Sequence, residues 1–246
     1  MMKTRYYTFM LFVVSLLLAL TVSACSNWSN FGSGKIVSEE RSVDDFDSIY
    51  VRGEGTVYLT QGDEVSVVVE TDSNLVHRVY TEVKGRTLEL RYASGLLGTH
   101  LRPTQGYIYH ITVVDLENVT IEGSAEVFAD GVVSEQLGLD VTGSGQVDIN
   151  DLSADEVQAD ITGDGKIKLS GEADTQRVVV TGDGIFDGRD LEGRYVNVNT
   201  KGSSTVTIWA TAELNISVVG DGKVQYYGDV KPNISNTSGE VMSLDN

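Results

Sequence analysis

A single cysteine, Cys25, stands in the whole chain, so no internal disulfide can brace the fold. Stability must then come from backbone ladders and core packing. Proline is almost absent: Pro103 and Pro232 are the only two, and long strands can run with little interruption. Basic residues are scarce, 18 Lys and Arg against 36 Asp and Glu, which removes the electrostatic footprint that a nucleic-acid partner requires. The same acidity discourages strand-rich chains from associating edge to edge. The three histidines, His77, His100 and His110, have no metal-ligand spacing and no acidic partner at a recognisable offset. They read as ordinary surface or strand residues. Through the body of the chain no window carries apolar residues at three-and-four spacing, which excludes a helical fold.

Glycine, by contrast, is plentiful and ordered. A Gly-x-Gly turn recurs at Gly143-Ser144-Gly145, Gly163-Asp164-Gly165, Gly182-Asp183-Gly184 and Gly220-Asp221-Gly222. Degenerate copies stand at Gly123-Ser124-Ala125 and Gly202-Ser203-Ser204. The first glycines are 20, 20, 19, 20 and 18 residues apart, a period typical of stacked repeats. Two positions before each stand Ile121, Val141, Ile161, Val180, Thr200 and Val218; four after come Val127, Val147, Ile167, Phe186, Val206 and Val224. Period-two alternation on both sides of a turn means two half-buried strands per repeat.

Equivalent strands one repeat apart can pair in parallel as the chain coils. No single coil can bury its own apolar face, so the stack supplies the core. The expected fold is all-β: a single-stranded parallel β-helix, or β-solenoid, of about 20 residues per coil, right-handed by the crossover rule. The glycines allow a reversal within two or three residues, which needs positive φ. A phosphate-cradling role is weak, because the spacing is not GxGxxG and no helix follows.

The N-terminus is a targeting segment. Lys3 and Arg5 precede an apolar run from Phe9 to Leu20, too short for a comfortable membrane span. The run ends in Val22-Ser23-Ala24-Cys25, which resembles the bacterial lipobox. That resemblance implies cleavage before Cys25 and lipidation of it, with the membrane as a partner through the lipid. Ser26 is compatible with transfer to an outer membrane. The expected organisation is a signal peptide over residues 1–24, a lipidated tether over 25–34 and a solenoid over 35–246. Multiple acyl chains give stable anchoring where one is marginal.

A family resemblance joins these features. Val43-Asp44-Asp45-Phe46-Asp47-Ser48-Ile49, the stretch Val51 to Leu59 with the turn Gly53-Glu54-Gly55, Val65 to Val69 and Thr81 to Leu90 carry its N-terminal half. The glycine repeats, Val224-Gln225-Tyr226-Tyr227-Gly228 and Pro232 carry the rest. From about Gly34 to the C-terminus the chain resembles the putative autotransporter-adhesin head, or GIN domain, proteins. The resemblance implies a β-helix of pectin-lyase-like geometry and a role in adhesion, and it offers no catalytic residues. A surface glycan or a protein is the expected ligand, with a carbohydrate-active β-helix enzyme and a structural or protein-binding envelope lipoprotein as the alternatives. Asp at three turns and the loss of the second glycine at two depart from the usual Gly-Ser-Gly without threatening the fold.

Stacking places equivalent residues in columns, so chemistry can be sought column by column. Asp148, Lys168, Asp187, Thr207 and Gln225 form one, expected to face solvent. Asp148 and Asp187 would lie roughly 9.6 Å apart along the stack, near the roughly 6.5–9.5 Å of inverting glycosidases. Lys168 between them keeps both ionised, which suits a surface ladder and leaves no general acid. Asp164, Asp183 and Asp221 form a turn column whose repulsion Lys166 and Lys223 can offset. Ca²⁺ is the sharper reading of such turns, but the calcium-binding nonapeptide of other solenoids is missing, and no metal or cofactor is expected. Thr142, Thr162 and Thr181 make a threonine column that first reflects β-propensity. Tyr92, Tyr107, Tyr109, Trp209, Tyr226 and Tyr227 are candidates for a sugar-stacking surface, with Tyr226 in an inward register and Trp209 facing out. Ser94 to Gly106 reads as a projecting loop able to carry recognition.

Overall fold

A computed structural model describes residues 30–93 and 100–245. The lipobox, Cys25 and the signal segment lie outside the described residues, as do residues 94–99 of the expected recognition loop. The chain opens with β1 (Ile36–Arg41), β2 (Ser48–Gly53), β3 (Thr56–Gln61) and β4 (Ser66–Asp72). After a 3-10 turn at Val76–Arg78 come β5 (Val79–Lys84), β6 (Thr87–Tyr92), β7 (Ile108–Val113), β8 (Asn118–Gly123) and β9 (Glu126–Asp130). The long coils are β10 (Val133–Gly143), β11 (Gln146–Gly163), β12 (Lys166–Gly182), β13 (Ile185–Gly202) and β14 (Thr205–Val219). β15 (Lys223–Tyr227), β16 (Asn233–Thr237) and β17 (Glu240–Ser243) close the chain.

The result is a β-solenoid of about six turns with roughly 20 residues each. Successive coils pair in parallel and in repeat register: Gly143 opposite Gly163, Gly163 opposite Gly182, Gly182 opposite Gly202. The apolar columns flanking the turns point inward, and Ile121, Val141, Ile161, Val180 and Val218 are buried beside Val127, Val147, Ile167, Phe186, Val206 and Val224. At the turns themselves the first glycine has φ between 111° and 120° in Gly143, Gly163, Gly182, Gly202 and Gly220. The second glycine lacks positive φ and points into the core: a Cβ on Gly145 would sit 2.6 Å from the Ile121 side chain. The pair therefore answers two different steric demands, one conformational and one volumetric.

The N-terminal half departs from a plain parallel coil. The turn Gly53–Gly55 belongs to the stack, with Gly53 opposite Gly123 although they are far apart in sequence. Between them β6 and β7 continue the stack in parallel on β2 and β3. Beyond these the pairing reverses: β4 with β7, β5 with β6, and the N-terminal β1 with β4 are all antiparallel. These strands cover the end of the solenoid. Their outer edge at β1 carries Glu39, Glu40 and Arg41, charges that discourage further strand addition.

The expected tether does not run free to Gly34. Phe31 bridges to Arg102, and Asp72, fully buried, ties three donors together. The Gly34 N–H donates to Asp72 Oδ1 at 2.7 Å, the Thr104 N–H to Oδ2 at 2.7 Å, and the Thr104 hydroxyl to Oδ1 at 2.8 Å. Burial alone pushes the Asp72 carboxyl up, but the hydrogen bonds from Thr104 and Gly34 outweigh it and hold the group below its ordinary value. A depressed carboxyl contributes stability that is present above its unfolded pKa and is lost as pH falls through the folded one. Asp72→Asn should therefore cost about 2 kcal/mol at neutral pH, with faster amide exchange at Gly34 and Thr104. The difference from wild type should vanish under strongly acidic conditions; an equal difference at all pH would contradict the clamp.

Candidate functional site

The turn aspartates are exposed and belong to a backbone ladder. The Asp164 N–H donates to Gly143 O at 2.9 Å and the Asp183 N–H to Gly163 O at 3.1 Å, so each turn rests on the one before. Lys223 pairs with Glu240 of the next coil at 3.7 Å. Among the described residues no group of three or more His, Cys, Asp or Glu side chains is gathered as a metal site. Asp148, Lys168 and Asp187 occupy adjacent positions on neighbouring strands, with Lys168 Nζ 3.6 Å from Asp148. Asp187 is engaged instead by Arg189, whose Nε donates to it at 2.8 Å. Thr207 departs from the expected exposure: lying between the longer Asp187 and Gln225, it is shaded and buried.

The aromatic candidates separate into three groups. Tyr107 and Tyr109 are core residues, and Tyr92 stacks on Tyr107 with centroids 4.8 Å apart. Burial drives the hydroxyls of Tyr107 and Tyr109 strongly upward, so both stay neutral at any ordinary pH. A second group went unnoticed in sequence: Tyr58 stacks on His110 at 5.5 Å and on Phe128 at 5.9 Å, on three neighbouring strands. Tyr58 has both faces covered by its neighbours although it is exposed, so this outward ladder stabilises the stack and turns ring edges to solvent. Of the expected loop, residues 100–106 fold back on the body through buried Leu101 and through Thr104.

The third group, Trp209 and Tyr227, lies at the C-terminal end and forms a cleft. Trp209 is outward on β14, between inward Ile208 and Ala210, and sits opposite Tyr227 of β15. Two backbone irregularities open the space around them. β13 bulges by three residues, since Gly188 faces Ile208 while Glu192 already faces Trp209, and Arg189 and Asp190 stand in that bulge. Beyond Tyr227 the chain turns away at Gly228, with φ of 106° and the Ala210 carbonyl packed where a Cβ would lie. Asp245 accepts the Gly228 N–H and pins the far wall. The resulting cavity of about 880 Å³ is lined by Arg189, Asp190, Trp209, Tyr227, Asp229 and Ser243, among others. The hydrogen bond and charge of Asp187 raise the Arg189 guanidinium above its ordinary value, with smaller contributions from Tyr227 and Asp190. Tyr226, in the inward register, packs against the core. The sequence signal for the cleft was the 18-residue spacing from Gly202 to Gly220, where the coil is short and its neighbour must bulge.

A second groove, about 780 Å³, is lined by Asp115, Glu117, Glu135, Asp140, Asp155 and Glu156 with no basic residue among its walls. Burial, reinforced by the Asp160 charge, pushes the Asp140 carboxyl up. This groove has charge of one sign and no aromatic wall. Of the two, the Trp209–Tyr227 cleft combines apolar ring surface with convergent polar groups, the usual composition of a small-ligand site.

Comparison with known proteins places this geometry in context. Residues 45–230 match the family described as putative auto-transporter adhesin, head GIN domain. Among solved structures, a putative adhesin from Bacteroides fragilis superposes with a TM-score of 0.80 at 22% identity, covering 87% of this chain and 99% of that one. A putative adhesin from Parabacteroides distasonis gives 0.70 at 26% identity, covering 87% and 99%. A putative lipid binding protein from the same species gives 0.67 at 25% identity, covering 87% and 96%. A search of curated proteins finds no match. Neither the family nor these neighbours carry an enzymatic description.

Proposed function

Because the chain belongs to the auto-transporter adhesin head GIN domain family, we propose that it is a lipid-anchored, non-catalytic binding module of a bacterial cell envelope. It holds a surface glycan or a protein ligand at the outer membrane or cell surface. The observation that carries this reading is the Trp209–Tyr227 cleft, a pocket formed between hydrogen-bonded strands of the solenoid. The acid/base alternative has little support, because Asp148 and Asp187 are each engaged by a cation, Lys168 and Arg189. Anchoring rests on Cys25 and the lipobox-like residues before it. Among the described residues no helix is long and apolar enough to cross a membrane.

The test is a glycan and protein array probed with the full chain in detergent, paired with alkynyl-palmitate labelling in a bacterial host. Selective retention without release of cleaved products, and labelling that Cys25→Ala abolishes, are the expected outcomes. Cleavage of a retained glycan would overturn the non-catalytic assignment, and labelling unchanged by Cys25→Ala would overturn the anchor.

A further inference from the structure

The cleft has enough chemistry to narrow its ligand. Its two rings stand on neighbouring strands, and among the described residues neither stacks on another aromatic side chain, unlike Tyr58 and Tyr92. Both rings are half-buried, and the part of each that lines the cavity is left to a flat, weakly apolar partner. A sugar ring offers such a surface in its axial C–H groups while its hydroxyls need donors and acceptors around the rim. Those are supplied by Asp190, Asp229 and Ser243 in the wall, and by Arg189.

The charge of the wall discriminates among saccharides. Asp190, Asp229 and Asp245 face a single guanidinium, Arg189, which is already paired with Asp187. An anionic sugar would meet uncompensated carboxylates, in a chain whose formal net charge is −18. An acyl chain fits poorly for a different reason, since covering these carboxylates with hydrocarbon would desolvate them without partners. Ionised carboxylates instead accept hydrogen bonds from hydroxyls and, more strongly, from an ammonium group.

We propose that the Trp209–Tyr227 cleft binds a short stretch of neutral or amine-bearing saccharide, stacked on the two rings and held by Asp190 and Asp229. This deepens the binding role proposed above and rests on it. The β13 bulge and the turn at Gly228 make the site, so it belongs to this end of the solenoid and is not repeated along the stack.

Trp28 is the one other tryptophan, so a Trp28→Phe background makes fluorescence report on Trp209 alone. The full chain in a sugar-free zwitterionic detergent is titrated with triacetylchitotriose, chitotriose and sialyllactose. A saturable change is expected with the first two, and binding of sialyllactose at least about tenfold weaker. Asp190→Asn with Asp229→Asn should weaken chitotriose about tenfold or more, with the melting midpoint preserved as evidence of folding. Trp209→Ala, read by retention on immobilised triacetylchitotriose, should lose binding, Trp209→Phe should keep part of it, and Phe128→Ala should keep all of it. Sialyllactose binding as tightly as the others, or saccharide binding indifferent to Trp209→Ala, would overturn the assignment of the cleft. If array ligands are retained equally by wild type and Trp209→Ala, the cleft assignment fails and the binding role stands. If wild type retains nothing from either array, both fail.

Discussion

Gly143→Ala is expected to lower the melting midpoint by roughly 10 °C, the effect of about 4 kcal/mol in a domain of this size. Two costs combine. Gly143 has φ of 114°, a region that side chains occupy only at a cost of about 1–3 kcal/mol. Its new Cβ would also lie 2.5 Å from the Gly123 carbonyl oxygen, which already accepts the Ser144 N–H at 2.9 Å. Neither backbone can give way, because each turn is hydrogen-bonded to the next. The middle residue faces water, so Asp164→Ser should change the midpoint by no more than about 1–2 °C. Gly145→Ala should fall between the two. Its Cβ meets the Ile121 side chain, which can adjust, and the Ala125 carbonyl oxygen at 2.9 Å, a milder backbone approach than the 2.5 Å at Gly143. Ala125 itself occupies the equivalent place in the preceding turn. Equal effects at Gly143 and Asp164, measured by calorimetry, would contradict this account of the turns.

Phe186→Ala should destabilise by about 3–5 kcal/mol, as removal of a fully buried ring usually does. The more revealing test uses its neighbour. Other coils place Val or Ile four residues after the first glycine and, except for Tyr226 in the last, an aliphatic residue six after, whereas this coil has Phe186 and Gly188. A Cβ on Gly188 would lie 2.7 Å from the Phe186 ring, so the missing side chain makes room for the large one. Gly188→Leu alone should therefore be severely destabilising, by overpacking. Phe186→Val with Gly188→Leu should recover most of the loss, because it restores the Val147 and Ile149 pattern of an ordinary coil. The coupling energy from the double-mutant cycle is expected to exceed about 2 kcal/mol. Simple additivity would show that the two side chains do not share one space.

Much of the fold was legible because a repeat displays its core as columns. The inward residues on both sides of the glycine turns follow from alternation alone, and so does the outward position of Trp209. The same rule, extended back from Ile111 and Val113, would have placed Tyr107 and Tyr109 in the core, where they lie. Strand direction is a different matter. Val65 to Val69 and Thr81 to Leu90 alternate as any half-buried strand does, and alternation carries no sign for parallel or antiparallel pairing. The antiparallel cap was therefore invisible, as was the Asp72 clamp that brings residues 34 and 104 to one carboxylate. The cleft falls between these cases. The short 18-residue coil stood in the spacing, but its consequence depends on where the neighbouring coil sheds its extra residues, and only the observed register places that bulge at Arg189 and Asp190.

The most direct test of a binding role located in this cleft is a crystal structure of the protein soaked with triacetylchitotriose. The account predicts a sugar ring against Trp209 and Tyr227, with hydroxyls within hydrogen-bond distance of Asp190 or Asp229. Density on the His110–Tyr58–Phe128 ladder or in the acidic groove, with the cleft unfilled, would contradict it.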